Sequence, residues 1–154
     1  VDQAKLRAEL IRDEGLRFSA YQDTNGFWTI GVGHLLGTEK RMLKITNEEV
    51  MALLDVDIRE ALTIVNRVFP EGNLSGNYTR LTDAQLRALV NMAFNRGEKR
   101  MMESTTITPA IRKAIETGDW SSVTLTIMTS PWAKQIGKRA ERLAYMLETG
   151  KDLQ

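Results

Sequence analysis

Apolar residues fall at helical spacing early in the chain, at Leu6, Leu10 and Ile11, and Gly15 stands where a glycine commonly closes a helix. This predicts a helix over about residues 2 to 14, with Glu14 in its last turn. Aromatic and β-branched residues then lie on both sides of Thr24-Asn25-Gly26, and Asn-Gly between such runs marks a hairpin. Strands are expected near 17 to 21 and 27 to 31, with a third short strand or an irregular turn taking in Gly33 to Leu36. From Ile45 the helical period returns. Thr46 with Glu49 forms a capping box ahead of Val50, Leu53, Leu54, Ile58, Leu62, Val65 and Val68, which predicts one long helix over about 46 to 69.

Pro70 to Asn73 ends that helix, and Ser75-Gly76-Asn77 extends the loop. A second capping pattern, Thr82 with Gln85, opens a helix carrying Leu86, Leu89, Val90, Ala93 and Phe94, and Gly97 is its expected end. Thr108-Pro109 and Ser130-Pro131 each read as an N-cap followed by a first-turn proline. Gly118 closes the first of these helices, and Gly150 closes the last helix of the chain. At 154 residues a single domain is expected. Its plan is a small β-containing lobe over about 14–50, a helical lobe from 1–13 and 65–154, and the 46–69 helix connecting them.

Composition narrows the chemistry by exclusion. A hydrophobic content of 42% with 27% charged residues is that of a soluble globular protein, not a disordered one. The absence of cysteine excludes a disulfide framework, a thiolate nucleophile and cysteine-based metal centres, and the single histidine excludes a multi-histidine metal site. A formal charge of +1 gives no footprint for nucleic acid. No apolar run approaches the roughly 20 residues that span a bilayer, and the first ten residues lack the pattern of a signal peptide. The start at Val1 suits either a domain cut from a larger protein or loss of an initiator methionine.

Two acids stand out. Glu14 ends a helix and Asp23 enters a hairpin turn, and two carboxyl groups in different environments can act as proton donor and charged partner. Spacing alone favours a plainer reading, in which Asp23 opens an Asx-type turn and Glu14 is a solvated helix-end acid. Gly31, Gly33 and Gly37 match neither a dinucleotide fingerprint nor a P-loop, and read as positions for tight turns or positive φ. His34 has no serine in a nucleophile-elbow motif to activate, and is expected to pair with an acid. Lys134, Lys138, Arg139 and Arg142 read as a solvated basic face, and the Leu86, Leu89, Val90, Ala93 stripe as core.

Taken together, these residues resemble the lysozymes of T-even bacteriophages, muramidases that hydrolyse peptidoglycan. Glu14-Gly15-Leu16-Arg17, Tyr21-Gln22-Asp23-Thr24 with Gly26, and Thr29-Ile30-Gly31-Val32-Gly33-His34-Leu35-Leu36 reproduce that family's acid, eight residues, acid, five residues, threonine arrangement. Asn91 to Gly97 resembles its central-helix end, and Trp132 with Arg139-Ala140 its C-terminal segment. The resemblance implies an α+β fold, mostly helical, with a short antiparallel β-sheet in a small N-terminal lobe and a larger C-terminal helical lobe. It implies Glu14 as general acid, Asp23 as the carboxylate that stabilises positive charge and helps activate water, and Thr29 as the residue that positions that water. Arg139 is implied to face Glu14 and orient it, with Leu35, Phe94 and Asn95 lining the saccharide cleft. Asp57 stands where the family has an acid paired with the histidine, which implies an ion pair with His34.

No cofactor and no metal are implied. The expected partner is the glycan strand of peptidoglycan, with no nucleic acid and no membrane segment in this chain. The chain is expected to be a monomer unless part of a larger virion protein. It would act on the host cell wall, reached from the host cytoplasm before release or from a virion, and a free endolysin, a tail-borne muramidase or a bacteriocin domain would each present these residues. Two departures stand out: only eight residues separate Leu36 from Ile45, where the family has a longer insertion with a short helix, and Asn95 replaces a usual glutamine, with Arg96 beside it. An alternative class is a wall-binding virion module that kept the fold and lost the reaction, against which all three catalytic positions are filled. A retaining or transglycosylase variant would turn on the residue at position 29.

Overall fold

Helix α1 (Gln3–Glu14) forms where the apolar spacing places it, and the Gly15 amide closes it on the Ile11 carbonyl at 2.9 Å. It opens a computed structural model that describes residues 1–70 and 80–153. The loop expected at Glu71 to Asn77 lies outside the described residues. The chain divides into two compact units, Gln3–Glu60, and Val1–Asp2 with Ala61–Gln154.

In the first unit, β1 (Arg17–Gln22), β2 (Trp28–Gly31) and β3 (His34–Gly37) form an antiparallel sheet in the order β1-β2-β3. The third segment is thus a strand. After Gly37 the chain forms no helix before α2 (Asn47–Val68) and runs back beside β1. There the Ala20 amide donates to the Leu43 carbonyl at 2.9 Å and the Ile45 amide to the Phe18 carbonyl at 2.8 Å. The short segment after Leu36 therefore patches the sheet edge instead of building a helix. The capping box at α2 is formed as expected: the Thr46 amide reaches the Glu49 carboxylate at 2.8 Å, and the Glu49 amide reaches the Thr46 hydroxyl at 3.2 Å.

Two acids of α2 tie this unit together. Asp55 receives both nitrogens of the Arg7 fork, at 2.8 and 2.7 Å, and Asp57 pairs with His34 Nδ1 at 2.9 Å. Side chains two apart on a helix point roughly 200° apart, so one acid grips α1 and the other grips β3. The pairing of His34 with Asp57 that the resemblance implies is present as a contact of Nδ1 with the carboxyl group.

The second unit is built on α3 (Asp83–Met102), whose residues from Ala84 to Ala93 are all buried. A helix buried on every side is the centre of a core. Its capping box matches the expectation, with Gln85 and Thr82 exchanging bonds at 2.9 and 3.2 Å. The Gln85 side chain also donates to the Leu147 carbonyl at 2.8 Å, satisfying a late carbonyl of α7 (Lys138–Thr149). The rest of the unit is α4 (Ile107–Thr117), α5 (Val123–Met128), α6 (Pro131–Ile136) and α7, with α7 packed on α3, α5 and α6, and α5 packed on α4 and α6. Arg112 of α4 donates to the Val68 carbonyl at 3.0 and 2.8 Å, so a cation meets the open carbonyl end of α2.

Gly97, at φ 73 and ψ 164, interrupts α3 where the sequence predicts its end, and a second short helical stretch carries the element on to Met102. Local signals misplace three details here. The start of α4 is shifted: Thr108 donates its hydroxyl to the Met101 carbonyl at 2.6 Å, and Ser104 takes the amides of Ile107 and Thr108 instead. The C-terminal segment is two helices, broken at Gly137. Helix α5 is an addition to the elements anticipated.

Arg87 is 1% exposed, and a buried guanidinium requires paired charge. It finds Asp83 at 2.7 Å and Asp152, which ties the last residues to the start of α3. The Asp2 amide also donates to Asp83, at 2.6 Å. Partial burial pushes the Asp83 carboxyl up, but the bonds from Arg87 and Asp2, with the Arg87 charge, outweigh it and hold the group below the usual carboxylate range. A carboxyl lowered by folding contributes stability above its unfolded pKa, about 3.9, and loses it as pH falls through the folded value. Asp83→Asn is expected to cost about 1 kcal/mol at neutral pH, a small figure because Asp83 is 43% exposed and water screens it. Urea denaturation should show that difference at neutral pH and its disappearance once both carboxyl states are protonated.

Candidate active site

Glu14 is the last residue of α1, half-buried, and the chain passes close beneath it at Gly33. A Cβ placed on Gly33 would stand 3.2 Å from Glu14 Oε2 and 3.4 Å from its Cδ and Cγ, tighter than side chains ordinarily tolerate. Gly33 also has φ +66, a conformation that other residues adopt only with strain. Position 33 therefore has two separate reasons to lack a side chain, and one of them is the acid. The G-x-G pattern foreshadows the backbone conformation; the approach to Glu14 has no signal in the local sequence.

Asp23 follows β1 and opens the loop to β2. Its Oδ1 accepts the amides of Asn25 at 2.9 Å and Phe27 at 2.8 Å, while its own amide donates to the Phe27 carbonyl at 2.7 Å. The plain Asx-turn reading is thus correct as far as it goes. Both side-chain bonds fall on Oδ1, and Oδ2 accepts none among the described residues. Backbone thereby fixes the orientation of the carboxyl group and leaves one oxygen for other work.

Thr29 is the central residue of the sheet. It is paired with Tyr21 on β1 and Leu35 on β3, which puts the three side chains on one face. Thr29 is 5% exposed, whereas Leu35 is 58% exposed, an unusual position for a leucine. The Thr29 hydroxyl has one long bond, 3.5 Å to the Phe27 carbonyl, so its donor is weakly committed within the chain. Glu14, Asp23, Thr29 and Leu35 all belong to the first unit.

Phe94, Asn95 and Arg139 belong to the second. Arg139 is buried, with Nε donating to Asn91 Oδ1 at 2.9 Å. Asn95 accepts the indole N–H of Trp132 at 2.8 Å, so the shorter amide found in place of glutamine is anchored to a tryptophan, and Phe94 beside it is half-buried. Arg96 stacks over the same indole, 4.9 Å from its ring centre. Sequence reading noted Arg96 only as an added charge; its pairing with Trp132 joins residues far apart in the chain.

Among the described residues no three histidine, cysteine or acidic side chains are grouped to hold a metal ion. The first unit offers a carboxyl at a helix end, a second carboxyl with one oxygen tied down, and a hydroxyl on the adjoining sheet. Such a set suits acid–base chemistry on a bond between two sugars.

Comparison with known proteins agrees with this chemistry. The family described as phage lysozyme matches the chain over residues 12–145. A probable T4-type lysozyme 2 of Dictyostelium discoideum is 26% identical, over 96% of this chain and 95% of that protein. The endolysin of Acyrthosiphon pisum secondary endosymbiont phage 1 is 32% identical, over 83% of this chain and 78% of its own length. The pre-baseplate central spike protein Gp5 of Enterobacteria phage T4 is 27% identical over 93% of this chain, which spans only 28% of that protein. The chain belongs to the phage lysozyme family and is a glycoside hydrolase.

Proposed function

We propose that this protein is a muramidase that cleaves the β-1,4 bond between N-acetylmuramic acid and N-acetylglucosamine in bacterial peptidoglycan, by inversion, to degrade the cell wall for a phage. The observation that carries this reading is the pair of differently held carboxyl groups, Glu14 with Gly33 beneath it and Asp23 with Oδ1 bound by two amides. Family membership supports the substrate class. The endolysin and spike-protein relatives support action at the host wall, from the host cytoplasm at release or from a virion.

In this mechanism Glu14 gives its proton to the glycosidic oxygen as the bond to the anomeric carbon breaks, and positive charge develops on the sugar ring. Asp23 faces that charge. Its Oδ2 accepts a proton from a water molecule whose oxygen attacks the anomeric carbon from the opposite side, and the Thr29 hydroxyl holds that water in line. The β-linked sugar leaves as the α-anomer, and return of the Asp23 proton to Glu14 through solvent restores the enzyme. Inverting geometry requires the carboxyls to stand about 6.5–9.5 Å apart, so that the water fits. Leu35, Phe94, Asn95 and Arg139 are the residues this reading assigns to substrate binding. No cofactor enters the reaction.

Glu14→Gln is expected to lower wall clearing by about 10²–10⁴-fold with its circular dichroism spectrum unchanged. Equal clearing by that variant would overturn the proposal. Asp23→Asn should lose about 10²–10³-fold, and NMR of the first product released by the wild type should show the α-anomer. Gly33→Ala tests the approach to the acid separately: strain at positive φ should cost about 1–2 kcal/mol in stability. Displacement of Glu14 should lower kcat by tenfold or more in the folded variant.

A further inference from the structure

The stretch that runs back beside β1, Thr38-Glu39-Lys40-Arg41-Met42-Leu43-Lys44, is exposed at every residue. Met42 is 84% exposed, more than any other large apolar side chain among the described residues, and Leu43 and Phe18 are exposed as well. Ser19 and Lys44 stand opposite each other across this sheet edge, so side-chain alternation puts Phe18 and Leu43 together on the other face. A single exposed apolar residue is ordinary, whereas three on one edge of a small sheet form a patch. Cations frame it. Lys40 and Arg41 precede Met42, and Lys44 follows Leu43. The one acid of the segment, Glu39, comes no nearer to Arg41 than 4.0 Å and keeps 87% of its side chain in water. Among the described residues no acid pairs with Lys40 or Lys44. None of these residues has a part in the site described above.

We propose that this edge binds the surface of an anionic phospholipid bilayer, with Met42, Leu43 and Phe18 entering below the headgroups and Lys40, Arg41 and Lys44 meeting lipid phosphates. The apolar and the charged halves of the patch select this occupant together. A soluble polyanion would satisfy the cations and give the methionine nothing to enter. A neutral apolar partner would take three cations out of water without compensation. A second copy of the chain, paired by two-fold symmetry, would set the cations against their own images. An anionic bilayer offers negative charge at its surface and hydrocarbon beneath, and long cationic side chains can lay their stems along apolar surface while the charge stays in water. Methionine suits such a contact, because its unbranched thioether chain adapts to an irregular apolar surface. The contact is peripheral: it uses side chains of a sheet edge, and no described helix is long and apolar enough to cross a membrane. The proposal stands apart from the muramidase reading, since adsorption requires no hydrolysis.

The test is co-sedimentation of the full chain with vesicles of phosphatidylglycerol and phosphatidylcholine in equal parts, against vesicles of phosphatidylcholine alone. The wild type should prefer the anionic vesicles by about tenfold and lose most of that preference as salt is raised. Met42→Ser with Leu43→Ser leaves the charge unchanged and should weaken binding at least fivefold; binding equal to the wild type would reduce the patch to charge attraction and overturn the proposal. Lys40→Gln with Arg41→Gln should weaken binding by about tenfold. Neutralising exposed cations elsewhere, as Lys113→Gln with Lys151→Gln, should leave binding in place, and an equal loss there would also overturn the proposal. Glu39→Gln should strengthen binding by about fivefold, a gain that a damaged fold cannot produce. NMR of the wild type with anionic bicelles locates the contact: a nitroxide on the acyl chains should broaden the Met42 methyl signal and spare that of buried Met92. An unbroadened Met42 signal, or dimers in sedimentation velocity that the Met42→Ser, Leu43→Ser variant disperses, would overturn it.

Discussion

A helix whose last side chain packs against a later part of the chain limits what can stand there, and the first unit is arranged around that constraint. Glu14 is the final residue of α1, and Gly33, between β2 and β3, is the position where a Cβ would press on it at 3.2 Å. The sheet must therefore turn at a residue without a side chain, with φ +66, before β3 begins. Strand β3 is equally constrained. His34, its first residue, is held by Asp57 of α2, so the chain is fixed to a helix one residue after the close approach. Arg7 and Asp55 fix the other side, joining α1 to the same helix through a two-pronged ion pair. The elements around the acid are thus held by two side-chain links on opposite faces of α2 and shaped by one missing side chain.

Asp23 shows how a structural role can leave room for the chemical one proposed for it. Its Oδ1 takes the place of a turn acceptor for two amides, which is the ordinary use of aspartate before Asn-Gly. Using only one oxygen for the turn leaves the other with a defined direction. A carboxylate on a flexible side chain would lose orientational freedom on meeting water and substrate; here that loss occurs during folding. Thr29, on the neighbouring strand and almost fully buried, gains the same advantage from the sheet register.

How far the sequence could be read depends on the range over which each signal acts. Both capping boxes, Thr46 with Glu49 and Thr82 with Gln85, were legible because their partners are three residues apart and the geometry is purely local. The hairpin around Asn25-Gly26 was legible for the same reason. Gly97 was legible too, as the residue at which the first helical stretch of α3 stops, whereas Thr108 misled because its alternative is settled by the Met101 carbonyl that captures its hydroxyl. Of the site, Glu14, Asp23 and Thr29 were picked out by a motif, and spacing alone would have left them as turn residues. The Gly33 approach and the stacking of Arg96 on Trp132 join positions separated by many residues, and no local pattern announces either.

The arginines of the second unit are treated unequally. Arg87 is buried and meets two carboxylates, Arg112 meets the open carbonyl end of α2, and Arg139 meets the Asn91 side chain. In each case the cation's demand is answered within the chain, as burial requires. Arg96 is answered by an aromatic face and one carbonyl, with a second arginine beside it. An aromatic face attracts a cation but leaves its outward donors unused. Where Arg87, Arg112 and Arg139 are met by carboxylates, a carbonyl or an amide, Arg96 keeps its charge against partial burial and a neighbouring arginine with the indole face as its main support.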